Sequence, residues 1–282
     1  MARRVDPAET MPVSPFARQT RWALNGWAIA ILVFLYLPIA FLVLFSFETS
    51  PTPGLPITGL TLRWYGEMLG DSKIQTAVLN SILVAGIVAV LATLIGTITA
   101  FAISRGGFRW AGGARLAFTL PMMIPGVLLG IGLLITFRRV ADLNLSLATV
   151  IAGHLVFTTP FVVLIVAARL QGFDRRLEWA AADLGADNRR TLRHIVLPLI
   201  APAILAGFLM SITLSIDEFV ITYFTVGPQM TLPIFIYTQI KFGVTPEVNA
   251  VATVILVVTL LAFALGSIAL AGGRSAFRRR RS

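Results

Sequence analysis

The chain has 282 residues, 57% of them hydrophobic and only 13% charged, with a formal net charge of +10. A soluble domain is about half apolar and about a quarter charged, so this composition belongs to a polytopic helical membrane protein. There is no cysteine, which excludes disulfides, thiol nucleophiles and thiolate metal sites. The two histidines, His154 and His194, lie far apart in the sequence, which argues against a His-based metal site.

Six apolar runs follow one another, at 23–46, 76–103, 116–137, 147–168, 197–225 and 247–271. Each can cross a hydrocarbon core of about 30 Å as a helix. Successive spans alternate sides, and this sorts the basic residues. Eighteen of the 23 fall in the N-terminal arm, the 103–116 loop, the 169–196 loop and the C-terminal tail. The other five, Arg63, Lys73, Arg138, Arg139 and Lys241, fall on the opposite side. Basic loops stay in the cytoplasm, so both termini are expected inside. The run at Arg278–Arg281 then reads as an anchor on anionic lipid rather than a nucleic-acid site.

The arm at 1–22 is polar and carries Arg3 and Arg4. The apolar run from Trp22 to Phe47 is too long for a signal-peptide core and lacks a small-residue cleavage site, so it reads as span one. A Pro/Gly-rich outer loop follows, with a short amphipathic helix expected at 62–69 and Trp64 and Tyr65 as interfacial aromatics. Span two starts at Leu79, Asn80 and Ser81 and is rich in small residues (Ala85, Gly86, Ala89, Ala92, Gly96, Ala100) that favour close helix packing. Pro121, Pro125, Gly126, Gly130 and Gly132 interrupt span three. Such breaks persist in a membrane only where neighbours or a wet cavity satisfy the backbone. His154 and Pro160 lie in span four, where His154 reads as a packing residue.

The segment at 177–198, LEWAAADLGADNRRTLRHIVLP, is a polar island between two apolar runs. Asp174 can cap a helix over 175–184, Gly185 permits a bend, and Asp187 can cap a second helix through Arg193. Leu192, Ile195 and Val196 would share one stripe, opposite Arg189, Arg190 and Arg193. The expected product is a helix–turn–helix presenting Ala180, Ala181, Ala182 and Leu184, either to a groove on another protein or to headgroups. Span five contains Ser215, Ile216, Asp217 and Glu218. Adjacent carboxylates in an apolar helix cost several kcal/mol unless they face protein or water. Asp217 lies about 28 Å of helical rise beyond Pro198, near the outer end of the span. There the pair could pass an organic cation, or simply anchor the helix end.

The polar island resembles the EAA loop of ATP-binding-cassette (ABC) importer permeases, whose pattern is E-A-A, three residues, G, nine residues, I-x-L-P. Aligned on Gly185, the alanines are Ala180 and Ala181, and the tail is Ile195, Leu197 and Pro198. Trp179 stands in place of the usual glutamate, with Glu178 one residue earlier. The Ser215–Glu218 tetrad and the stretch GPQMTLPIFIYTQIKFGVTPEVNAVAT at 227–253 are similar to the spermidine/putrescine subgroup of these permeases. The resemblance covers roughly 60–271.

It implies an all-α, six-span type I importer permease fold with a cytoplasmic coupling helix between helices four and five. It also implies a division into an N-terminal arm (1–22), a first helix with its outer loop (23–75), a permease core (76–271) and a basic tail (272–282). The coupling loop would comprise Glu178, Trp179, Ala180, Ala181, Gly185, Ile195, Leu197 and Pro198, with contact made through Glu178 or by stacking of Trp179. Asp217 and Glu218 would line the pathway.

The implied partners are a homologous permease subunit, two cytoplasmic ATPase subunits, an extracytoplasmic solute-binding protein and membrane lipid, without nucleic acid. No cofactor and no catalysis by this chain are expected, because it has no Walker A pattern. An importer for another small solute, such as an opine, an aminophosphonate or thiamine, is the same-class alternative. An ion-coupled secondary transporter should carry inverted repeats, and the sequence has no visible internal repeat. A membrane enzyme would need a nucleophile–base or metal constellation that an isolated His154 does not supply.

Overall fold

The computed structural model describes residues 15–52, 54–105, 111–243 and 245–261. The tail at 272–282 and the end of the last apolar run lie outside the described residues. Among the described residues, four helices are long and apolar enough to cross a membrane: Trp22–Phe45, Ser72–Arg105, Leu147–Gln171 and Asn188–Asp217. A fifth candidate is a pair, Gly112–Met123 and Gly126–Val140, bent by 101°. Pro125 at the break has no N–H to donate, and Pro121 is inside the first half, so a straight span three does not form.

In chain order the helices are α1 (Pro15–Phe45), α2 (Arg63–Gly70), α3 (Ser72–Arg105), α4 (Ala111–Met123), α5 (Gly126–Ile135) and α6 (Leu147–Gln171). They continue as α7 (Arg176–Asp183), α8 (Asn188–Thr191), α9 (Leu197–Asp217), α10 (Val220–Thr225) and α11 (Leu232–Phe242). The last is α12 (Pro246–Leu261), which reaches the edge of the described residues. The chain forms two compact units, one of residues up to Met68 and from Val244, the other Leu69–Gly243.

In the first unit, α1 is exposed from Trp22 to Ala40. The loop after α1 is folded on itself. Glu48 is buried, and its Oε1 accepts from the Thr58 hydroxyl at 2.6 Å and the Thr58 N–H at 3.0 Å. Those bonds hold its carboxyl below the usual glutamate range. The Trp64 indole N–H donates to the Glu48 carbonyl at 2.6 Å, and Tyr65 pairs with the Ser46 hydroxyl at 2.7 Å. Trp64 is only 8% exposed. The expected interfacial aromatics are therefore internal pins of this loop.

In the second unit, α3, α6 and α9 pack as a triangle. One core cluster joins Ala92 and Ala100 of α3, Val162, Val166, Ala167 and Leu170 of α6, and Ile200 of α9. Close approach is set by absent side chains. A Cβ on Gly96 would fall 2.7 Å from Cβ of Val162, and one on Gly207 would fall 3.1 Å from the same valine. Packing rather than apolar transfer drives helix association in lipid, so Val162 works as a knob between two glycine holes. Gly86, grouped by sequence with these small residues, has open space around it instead.

The contrast makes a paired test. Gly96→Ala should lower the melting temperature in detergent, consistent with overpacking that costs about 1–3 kcal/mol. Gly86→Ala should leave it unchanged. Equal melting temperatures for the two variants would contradict this packing.

Candidate translocation and coupling sites

At one end of the second unit, α7 carries the polar island. Asp174 accepts from the Arg176 N–H at 3.0 Å. The helix stops at Gly185, whose φ is +80°. The Gly185 N–H donates to the Ala182 carbonyl and the Ala186 N–H to the Ala181 carbonyl, both at 2.9 Å. This is a complete Schellman stop, which satisfies two carbonyls that would otherwise end the helix unpaired. Asp187 then caps α8, accepting from the Arg190 N–H at 2.7 Å.

The expected second short helix is not separate. α8 runs through a π turn at Leu192–Val196 into α9, making one helix from Asn188 to Asp217. The wider turn lets the helix pass Pro198, which cannot donate to the preceding turn. Ile195 is half-buried and Val196 buried, while Leu197 and Pro198 are exposed on the first turn of α9.

The loop faces outward unevenly. Ala180, Ala182 and Leu184 are exposed, whereas Ala181, expected to be presented, is buried at 6% exposure. Trp179 is 63% exposed. Glu178 shares the inward stripe with Ala181 and forms an ion pair with Arg105 at the end of α3. This pair joins the 103–116 and 169–196 loops at the same end of the bundle, as the charge sorting anticipated.

At the other end, the expected continuous span five is broken. α9 stops at Asp217, Glu218 is extended with ψ 95°, and α10 begins at Val220. The acids diverge. Glu218 Oε1 accepts from the Ile221 N–H at 2.9 Å and thereby closes the break, while Asp217 is exposed. His154 spans the same break from α6, with Nδ1 2.8 Å from Ser215 Oγ and Nε2 2.8 Å from Thr222 Oγ1. The Thr222 hydroxyl donates to the Glu218 carbonyl at 2.6 Å. Its single proton is thus committed, and the Nε2–H of His154 is the donor to Thr222. Both ring nitrogens are satisfied, which is the packing role expected for this residue.

Short α10 fits tightly because its neighbours lack side chains. A Cβ on Gly130 of α5 would lie 2.6 Å from Phe224, and one on Gly153 of α6 would lie 2.8 Å from Ile221. Phe219, Tyr223 and Tyr237 form a ring cluster with centroids 4.9–5.7 Å apart, and Tyr223 is half exposed. The turn into α11 is tied to two spans. Asn80 Nδ2 donates to the Met230 carbonyl, Ser81 Oγ accepts from the Leu232 N–H, and Gln229 Oε1 accepts from the Leu147 N–H, all at 2.8–3.0 Å. A Cβ on Gly227 would meet the Leu145 carbonyl at 2.5 Å, so only glycine fits there.

Sequence reasoning missed Arg105 as a loop partner, since it counted only as a basic residue. It also missed the aromatic cluster and the division of labour between Asp217 and Glu218. Asn80 and Ser81 were visible as the start of a span, but nothing local signalled partners about 150 positions away.

The chain matches the family of binding-protein-dependent transport system inner membrane components over residues 92–280. It is 40% identical to the spermidine/putrescine transport system permease protein PotC of Escherichia coli K12, across 84% of this chain and 89% of that one. It is 38% identical to the putrescine transport system permease protein PotI of the same strain, across 82% and 86%. Its fold resembles a chain of a bacterial ABC transporter involved in importing the acidic polysaccharide alginate. The TM-score there is 0.73 at 15% identity, covering 91% of this chain and 99% of that one. A break-bearing helical bundle with a Gly185-stopped polar loop, together with these identities, places the chain in the family of binding-protein-dependent transport system inner membrane components, as a multi-pass membrane transport subunit.

Proposed function

We propose that this chain is the permease subunit of an ATP-driven importer for polyamines. The identity to two polyamine permeases over most of the chain carries the reading. The exposed Asp217 at a helix break, two residues before Phe219 of the ring cluster, supports it. The break brings a helix C-terminus and an exposed carboxylate together, the kind of irregular segment at which transporters hold their substrates. The negative end of the α9 dipole adds to Asp217 in attracting a cation. Ring faces such as Tyr223 favour ammonium groups further.

The proposed topology has six spans, with the apolar run at 247–271 as the sixth, and both termini cytoplasmic. The arm at 1–22, the first helix and outer loop at 23–75, the core at 76–271 and the tail at 272–282 are its proposed divisions. Its proposed partners are a homologous permease, two cytoplasmic ATPases that hydrolyse ATP, and a solute-binding protein. ATPase closure would push the Glu178–Pro198 loop, and the break at Glu218 would let α9 and α10 move differently. The push shifts access only because substrate binds the two states with different affinity.

The test is uptake of radiolabelled spermidine and putrescine by a strain lacking its own polyamine importers and supplied with this permease, its partner permease, ATPase and binding protein. ATP-dependent accumulation of either amine is expected. Accumulation of an opine, an aminophosphonate or thiamine instead would reassign the substrate, and uptake driven by an ion gradient without ATP would overturn the importer reading.

A further inference from the structure

We propose that His154 is the positioning residue of the break: by fastening the end of α9 and the start of α10 to α6, it sets the direction of Asp217. The proposal rests on the pathway reading of Asp217 above and deepens it.

The bonds at the break run in one direction. The Thr222 hydroxyl gives its proton to the Glu218 carbonyl, so it accepts from the Nε2–H of His154. Nδ1 then carries no proton and accepts from the Ser215 hydroxyl. All three side chains are buried, with 2% exposure for His154, 5% for Ser215 and 1% for Thr222. Breaking any link strands a buried polar group, so the chain of bonds holds as a unit. Asp217 lies within it. Among the described residues, its exposed carboxylate has no hydrogen-bond or ion-pair partner. Its direction therefore follows from the backbone, which is fastened two residues before it at Ser215 and immediately after it at Glu218.

The support under this chain is firm. A Cβ on Gly153 would fall 2.8 Å from Ile221, so α10 lies directly on the backbone of α6. Thr149 Oγ1 lies 2.7 Å from the Thr225 carbonyl, which holds the far end of α10 to the same helix. The imidazole is a rigid ring with its two nitrogens on different sides, so it fixes the spacing of the Ser215 and Thr222 hydroxyls. Packing alone does not call for this set. Three apolar side chains would fill the space without the desolvation cost of three polar ones.

The test is a double-mutant cycle with Asp217→Asn, using the assembled transporter in proteoliposomes and radiolabelled spermidine and putrescine, with rates taken per inserted transporter. His154→Gln puts its amide where Nε2 stands, keeps the Thr222 bond and releases Ser215. Alone it should cut uptake by about tenfold, as a small misplacement of a functional group does. Added to Asp217→Asn it should cost less than about twofold more, because no charge is left to misplace. His154→Asn puts its amide where Nδ1 stands and releases Thr222 instead. It should repeat both results, and it carries the cycle if the glutamine variant fails to insert. Losses that multiply when the variants are combined, as for a residue that only stabilises the fold, overturn the proposal and leave the pathway reading standing. Wild-type uptake by both His154 variants does the same. Wild-type uptake by Asp217→Asn removes the pathway reading and the proposal together. A direct readout of position is available because the chain has no cysteine. The rate at which a cationic thiol reagent labels Asp217→Cys should change severalfold when His154→Gln is added. The same reagent on Thr213→Cys, exposed one turn earlier on α9, should be unaffected. Unchanged labelling at both positions also overturns the proposal.

Discussion

Gly185→Pro is expected to abolish ATP-driven uptake while leaving membrane insertion and the amount of protein intact. The residue sits at φ +80° with its N–H bonded to the Ala182 carbonyl. Proline holds φ near about −65° and has no N–H, so the stop at the end of α7 cannot form. No atom lies within 4 Å of where a Cβ would stand, so the damage stays in the backbone of the loop and spares the packed core. Gly185→Ala provides the graded control. It has room for its methyl group and faces only the left-handed backbone cost of about 1–2 kcal/mol. Intermediate uptake is expected for alanine and none for proline. Wild-type uptake by the proline variant would remove the loop from coupling.

The second large effect separates the two acids. Asp217→Asn should reduce uptake of a divalent amine by about tenfold or more, because a charge facing the proposed path is lost while the fold is unaffected. Glu218→Gln should behave nearly as wild type, since an amide oxygen can still accept from the Ile221 N–H. Glu218→Ala strands that N–H, an expected loss of about 1–3 kcal/mol visible as a lower melting temperature. Competition by spermidine and by a neutral amide analogue then reads the electrostatic part directly. Unchanged uptake in Asp217→Asn would take this residue out of the pathway.

Much of this could be read from local pattern. The apolar runs located α3 and α6 to within a few residues, and Gly185 and Asp187 announced the turn and the cap of α8. Those signals are short-range: a cap or a left-handed glycine needs only its own neighbours. The breaks were harder. Pro125 gave a visible reason for the bend between α4 and α5. The stop at Asp217 has no proline or glycine beside it and depends on Glu218, Thr222 and His154 acting together across three helices. Pro198 gave no local sign of the π turn that carries the helix past it. Arg105 illustrates a third case. Its sign was useful for topology, but its partner lies about 70 positions on, beyond the reach of any local rule.

The loop after α1 has a consequence for acid tolerance. Glu48 is held below its usual proton affinity by the Thr58 hydroxyl and backbone. A carboxylate with a depressed folded-state pKa contributes its full stabilisation above the unfolded value and loses it only as pH falls through the folded one. The Trp64 and Tyr65 pins attach to the same loop, so this surface keeps its shape through mild acidification that would already protonate an ordinary glutamate. The contour of this loop thereby stays constant through mild acidification, with the acidic limit set by one buried side chain.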